Sequence, residues 1–252
     1  MDDKTIERIE EKYLLTKVEK TALLKKIKDR LVHDEFYKEE VLSLYFDTKN
    51  FDLAIKSIDR PAFREKIRVR AYDVPTLSSK VFFEIKSKQK HGKKKIGNKR
   101  RLVLPLKDFY KYTHKKADLI KIADKASNGD KKQLQIAREL DYLYKFYDLK
   151  PKLVISADRL AFVGKDDKNF RLTFDENLRF RDDNLRLEKG SAGEKYFPNT
   201  PDKNRCVIME VKTMRAMPLW FVKELSRMKI YPVRFSKYGK IYQLINERNK
   251  HV

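Results

Sequence analysis

Apolar and polar residues alternate along much of this chain. In 63–73, "FREKIRVRAYD", Arg64, Lys66, Arg68 and Arg70 stand at every second position, with Glu65, Ile67 and Val69 between them. A period of two is that of a β-strand, so one face of this segment is purely cationic. The alternation recurs downstream. In "VFFEIKSK", Glu84, Lys86 and Lys88 share one face, while Phe83 and Ile85 take the other. Lys99 and Arg101 share a face in "NKRRLVL", and Arg159 lies among Ala157 and Ala161 in "KLVISADRLAFV". Arg171, Thr173 and Asp175 alternate with Leu172 and Phe174, and Glu210 and Lys212 oppose Val207, Met209 and Val211. "EEVLSLYFDT", "NLRFRDD" and "KIYQLIN" are also predicted as strands, being short and rich in aliphatic and aromatic residues.

Helical periodicity predicts four segments. Residues 17–32 place Leu23, Leu24, Ile27 and Leu31 on a stripe opposite lysines. Residues 107–126 and 130–146 form a pair split by "SNGD", with Asp130 as N-cap. Residues 217–228 form a shorter helix opened by Pro218. Segments 88–99 and 188–204 are the most loop-like, and no repeat of 20–50 residues is evident. Many short strands without βαβ rhythm indicate an α+β fold: an antiparallel sheet or β-barrel with helices outside or at its ends, in one domain over 1–252.

Charge sharpens this. Lys and Arg number 60 against 37 Asp and Glu, a formal charge of +23, so the partner expected is anionic. With 15 Phe and 13 Tyr, there is ample material for a core. The single cysteine, Cys206, excludes an internal disulfide framework and suits an intracellular, cytoplasmic protein. No signal peptide is visible, and no apolar run of about 18 residues exists to span a membrane.

Taken one strand at a time, a charged face is the solvated side of a half-covered sheet. Here, however, arginine and lysine dominate that face on at least five strands. Closing them inward gives a cationic tunnel whose repulsion an anion, and a metal, would offset. Linear phosphate chains suit such a lining, since arginine forks grip phosphate oxygens and lysines add point charges. Glu84 and Glu210 stand isolated among these cations. Each fits either an internal ion pair or a hard-metal ligand for Mg²⁺ or Mn²⁺.

The ordered set "RIEEKYLL", "LYFDT", "KIRVRAYD", "VFFEIKSK", "KKIGNKRRLVL", "LVISADRLAF", "FRLTFDENLRF", "VIMEVKT" and "VRFSKYGK" resembles the VTC-type polyphosphate polymerase domain. That family belongs to the triphosphate tunnel metalloenzymes, the CYTH-like superfamily. The resemblance covers about residues 6 to 243. It implies an antiparallel β-barrel tunnel and transfer of the ATP γ-phosphoryl group to inorganic polyphosphate with a divalent metal, typically Mn²⁺. Carried over by motif, the substrate-binding residues would be Lys12, Arg68, Arg70, Lys86, Lys99, Arg101, Arg159 and Arg171, joined by Lys212, Arg234, Ser236 and Lys237. Arg68, Arg70, Lys86, Arg159 and Arg171 would hold the triphosphate, and Glu210 would be the metal ligand. Two departures stand out. The hydrolytic branch carries E-x-E-x-K, where this chain has Arg8, Glu10 and Lys12, which leans towards the polymerase-like branch. The histidine usual beyond the third-motif lysine is replaced by Ser87-Lys88.

Three alternatives remain open to the sequence: a triphosphatase or nucleotide hydrolase of the same fold, a non-catalytic polyphosphate sensor, and a nucleic-acid-binding protein. The lysine-rich segment 88–99 suits nucleic acid, a solvated surface or a polyphosphate exit path alike. Nucleic acid is disfavoured because no helix-turn-helix, zinc finger or RNA-recognition signature is present. The P-loop pattern is absent too. His33, His91, His114 and His251 read as surface residues, and Cys206 and Trp220 as packing residues.

Overall fold

The computed structural model describes residues 8–92, 94–198, 204–214 and 216–250. Its elements are β1 (Arg8–Leu15), α1 (Lys17–Ile27), β2 (Leu31–Asp47), α2 (Asp52–Asp59), β3 (Phe63–Tyr72), β4 (Lys80–His91), β5 (Lys94–Pro105), α3 (Leu106–Lys115), α4 (Leu119–Ser127), α5 (Lys131–Phe146), β6 (Lys150–Gly164), β7 (Arg171–Arg181), β8 (Glu194–Lys195), β9 (Val207–Met214), α6 (Leu219–Arg227) and α7 (Lys237–Lys250). The strand order is β1-β9-β7-β6-β2-β3-β4-β5, with β8 beside β7. The expected α+β class and antiparallel pairing are present. Among the described residues this pairing path has two ends, β1 and β5, and closure into the expected barrel is not seen.

Contacts group the chain into two compact units. The first comprises Met1–Glu40, Ala157–Leu178 and Lys195–Phe235. Its core gathers the apolar faces of β1, β7 and β9 (Tyr13, Leu15, Leu172, Phe174, Val207, Met209, Val211) against Leu23 and Ile27 of α1 and Phe221 and Leu225 of α6. Thr16 starts α1 with a reciprocal cap: Glu19 N–H donates to its hydroxyl at 3.0 Å, and Thr16 N–H donates to the Glu19 carboxylate at 2.8 Å. Cys206 and Trp220 pack against this core, as expected.

The second unit comprises Val41–Ser156, Arg179–Glu194 and Ser236–Val252. Ile67, Val69 and Ala71 of β3, Val81, Phe83 and Ile85 of β4, and Leu102 and Leu104 of β5 form one apolar surface. Helices α3, α4 and α5 cover it with Phe109, Tyr112, Leu119, Ala123, Ile136, Ala137 and Leu140. Burial of the larger of these side chains is worth about 1.5–3 kcal/mol each, which holds the alternation in register and commits the charged residues between them to the other face.

Several local expectations need correction. "KIYQLIN" lies inside α7, where Tyr238 and Ile241 bury one helical face; the seven-residue window was too short to reveal the period. Segment 88–99 is not a loop, since β4 and β5 pair continuously from Lys80↔Pro105 to His91↔Lys94. The helix expected over 107–126 breaks into α3 and α4, because Lys116 turns left-handed and Asp118 caps a new start through the N–H groups of Ile120 and Lys121. The first predicted helix stops at Ile27, and Leu31 opens β2. Segment 188–204 includes the short strand β8; its residues 199–203 lie outside the described residues. Asp130 does cap α5, accepting from Gln133 N–H at 2.8 Å. His33 and His114 are exposed as expected, whereas the side chains of His91 and His251 lie outside the described residues.

Candidate functional site: two clusters of paired charges

In the second unit, register sets the charged faces of β3, β4 and β5 in rows. Arg68 stands opposite Glu84, and Glu84 opposite Arg101; in the next row Lys66, Lys86 and Lys99 stand side by side. Glu84 is fully buried. Arg68 donates from Nε and Nη2 to Glu84 Oε2 at 2.9 and 2.8 Å. Glu84 Oε1 faces Lys99 Nζ at 2.9 Å and Arg101 Nη2 at 3.1 Å, both as ionic contacts. Burial alone would raise the Glu84 carboxyl, but Arg68, Arg70 and Lys99 outweigh it and hold the group at about 2. Burial also brings Lys99 down to about 8, with Glu84 pulling the other way. Arg101 lies over the Phe82 ring at 4.7 Å, and Arg70 over Tyr72 at 6.0 Å.

A second set of contacts fixes Arg68 from behind. The Tyr45 hydroxyl accepts from Arg68 Nη1 at 3.1 Å. The Tyr45 ring stacks on Tyr238 of α7, with centroids 4.4 Å apart and planes within 4°. Tyr238 donates to the buried Asp47 at 2.7 Å, and Asp47 accepts the N–H groups of Leu53 and Ala54, each at 2.9 Å, at the start of α2. Burial raises the Asp47 carboxyl, and the hydrogen bonds from Tyr238 and the backbone partly offset it. Helix α7 can approach α2 this closely because position 239 is glycine: a Cβ there would meet Ile58 at 3.0 Å. Ser236 caps α7 through Gly239 N–H at 3.1 Å, and its hydroxyl accepts from Lys66 Nζ at 2.8 Å. Lys237 is the first residue of α7.

The first unit holds a separate cluster on β1, β9 and β7. Lys12 stands opposite Glu210, and Glu10 opposite Lys212; Glu210 and Lys212 in turn face Thr173 and Arg171. Glu210 takes Lys12 Nζ at 3.2 Å and Lys212 Nζ at 2.6 Å, and Lys12 Nζ also lies 3.9 Å from Glu10. Arg159 forms a two-pronged pair with buried Asp175, at 2.7 and 2.8 Å. Arg171 pairs with Asp34. Arg234 is exposed, one residue beyond Val233, whose N–H donates to the Lys12 carbonyl at 2.7 Å.

The structure thus brings Arg68, Lys99 and Arg101 together round Glu84, and Lys12 and Lys212 together round Glu210. Arg159 and Arg171 each stand with a carboxylate of their own. Alternation does not single out Tyr45 and Asp47 of β2 or Tyr238 of α7, although they stand inside "LYFDT" and "VRFSKYGK", nor does it reveal Asp34, which lies 137 residues from Arg171. Asp175 was visible as a face-mate of Arg171, and Glu10 as the middle of R-x-E-x-K. Among the described residues no group of three or more His, Cys, Asp or Glu is arranged to hold a metal. Glu210 and Glu10, flanking one ammonium, do offer hard oxygen donors of the kind that Mg²⁺ or Mn²⁺ shares with phosphate.

The family model described as the VTC domain matches residues 7–246. Vacuolar transporter chaperone complex subunit 4 of Trypanosoma cruzi (strain CL Brener) is 30% identical over 153 residues, 55% of this chain and 19% of that protein. The subunit 4 of Trypanosoma brucei brucei is 32% identical over 153 residues, with the same coverage. The chain therefore spans about a fifth of the length of these curated relatives. Among solved structures, the PH1819 protein of Pyrococcus horikoshii OT3 aligns with a TM-score of 0.45 at 10% identity, covering 94% of this chain and 98% of that one. A putative adenylate cyclase of Vibrio parahaemolyticus aligns with a TM-score of 0.39 at 10% identity, covering 89% and 87%. No helix among the described residues is long and apolar enough to cross a membrane.

Proposed function

The chain belongs to the VTC domain family, and on that footing we propose that it is a polyphosphate polymerase. It would move the γ-phosphoryl group of ATP onto the end of a growing inorganic polyphosphate chain. One observation carries the reading: on three adjacent strands, cations crowd one face round a single buried carboxylate. Glu84 and Tyr45 occupy three of the five N–H donors of Arg68, and two remain to meet phosphate oxygens. The barrel tunnel that the resemblance implies, and action of 1–252 as one domain inside the cell, are parts of the same proposal.

Phosphoryl transfer asks mainly for positioning and charge stabilisation. In the second unit Arg68, Arg70, Lys86, Lys99 and Arg101 would hold phosphates in extended form, with Ser236 and Lys237 at the start of α7. In the first unit Lys12, Arg159, Arg171, Lys212 and Arg234 would bind phosphate oxygens. Glu210, helped by Glu10, would hold Mn²⁺ or Mg²⁺, and Lys12 and Lys212 keep the Glu210 carboxylate oriented. A divalent ion bound there would neutralise charge on phosphate oxygens. The end of the acceptor chain is already an anion, so its attack requires no strong general base.

Purified protein with ATP and Mn²⁺ should make chains resolved on a gel, and Glu210→Gln should abolish that activity while leaving metal-free tripolyphosphate binding in place. Free phosphate alone would make the protein a hydrolase, and tight binding without turnover a sensor; either overturns the polymerase reading.

A further inference from the structure

Arg68, Arg159 and Arg171 each pair with a carboxylate, and the pairs differ in how far water reaches them. Glu84, the partner of Arg68, is fully buried, and buried Asp175 holds Arg159 by two prongs. These two carboxylates are fixtures of the fold, because removing one member of such a pair leaves a buried charge behind. The pair of Arg171 with Asp34 is of another kind. It joins one guanidinium nitrogen, Nη2, to one carboxylate oxygen, Oδ2, and the Arg171 side chain is 54% exposed. An ion pair so open to water contributes little to stability.

Asp34 has a second anchor besides Arg171. Its other oxygen, Oδ1, accepts from the N–H of Glu35 at 2.9 Å, a local bond within β2. Arg171 stands opposite Lys212 of β9, and like charges set directly across a ladder repel. Lys212 has Glu210 at 2.6 Å to offset its charge, and Arg171 has Asp34. A phosphate oxygen would offset the Arg171 charge in the same way. Carboxylate and phosphate are thus alternative oxyanions for one guanidinium. Nη2 belongs to both forks through which a guanidinium grips an oxyanion with two prongs. Whichever of its N–H groups Asp34 engages, one fork is closed to phosphate.

We propose that Asp34 is an internal competitor for the phosphate oxygens that Arg171 binds. Its carboxylate holds a fork of the guanidinium in the free protein, an incoming phosphate displaces it, and Asp34 thereby sets how tightly phosphates bind in the first unit. The proposal rests on the phosphate-binding reading above and adds a residue which that reading does not use.

The test measures tripolyphosphate binding by calorimetry, without metal and at one salt concentration, for the wild type, Asp34→Asn, Arg171→Ala and the double variant. Asp34→Asn should bind about two- to fivefold tighter, the span expected of an exposed ion pair, and its Tm should fall by no more than about 2 °C. Asp34→Ala is a second variant and should match Asp34→Asn. Arg171→Ala should bind more weakly, and adding Asp34→Asn to it should change nothing further, because the competition acts through Arg171. Binding by Asp34→Asn equal to or weaker than that of the wild type overturns the competitor and leaves the phosphate reading standing. An equal gain in the Arg171→Ala background also overturns it, since the gain then comes from the lost negative charge in general. If tripolyphosphate binds and Asp34→Asn tightens it as expected, while ATP and Mn²⁺ yield no polymer, the competitor stands and the polymerase reading falls. Failure of all four proteins to bind tripolyphosphate overturns both.

Discussion

Replacing Glu84 by glutamine keeps the shape of the side chain and removes its charge. Arg68 then loses its carboxylate partner beneath a face that also carries Arg70, Lys99 and Arg101. Holding a carboxyl at about 2 instead of the ordinary 4.5 is worth about 3 kcal/mol, the low end of the range for breaking a buried ion pair by removing one member. For a chain of 252 residues the unfolding entropy is about 0.5 kcal/mol per degree, so Tm should fall by about 6 °C at neutral pH. The pH dependence supplies a second check. A carboxyl whose folded value is depressed stabilises the fold fully above its unfolded value and loses that effect as pH falls through the folded one. The gap between wild type and Glu84→Gln should therefore be constant above pH 4.5 and narrow as pH drops towards 2. Urea unfolding across this range measures both. A variant as stable as the wild type at pH 7, or a gap that does not narrow in acid, would refute the assignment of Glu84 as the internal counter-charge.

Two other outcomes are expected. Tyr45→Phe keeps the stack on Tyr238 but removes the acceptor for Arg68 Nη1; ATP turnover should drop about tenfold, the scale of one hydrogen bond to a charged group, and an unchanged rate would show that Tyr45 does not position Arg68. Lys99, lowered to about 8, carries its charge below that pH. A bound anion favours the charged form, so tripolyphosphate affinity should be full below pH 8 and decline as pH rises beyond it; this step should vanish in Lys99→Met, and a wild-type profile flat to pH 10 would exclude Lys99 from the anion's surroundings.

The period-two pattern in 63–73 made both faces of β3 legible, and the structure keeps Ile67, Val69 and Ala71 inside. What alternation could not decide was the role of an isolated carboxylate. Glu84 and Glu210 look alike in sequence, each among lysines and arginines. Register separates them, because it brings three cations onto a fully buried Glu84 and leaves Glu210 partly exposed between two lysines. The Tyr45–Tyr238 stack and the Arg171–Asp34 pair were beyond reach, since no local period links residues so far apart in the chain. Helix α7 was missed because its buried face, Tyr238 and Ile241, emerges only with Ser236 recognised as its cap.

The stack between Tyr45 and Tyr238 also bears on the order of events during synthesis. Asp47 and Tyr238, which clamp it, are 191 residues apart, and β3, β4 and β5 lie wholly between them. Chains leave the ribosome at about 5–20 residues per second, so the cationic strands spend roughly ten seconds outside without Tyr238, the ring on which Tyr45 stacks. During that interval Glu84, which emerges only 16 residues after Arg68, is the partner already at hand. A nascent chain can thus carry its basic face before that face has its final geometry, and cellular polyanions meet an unfinished grip until α7 docks.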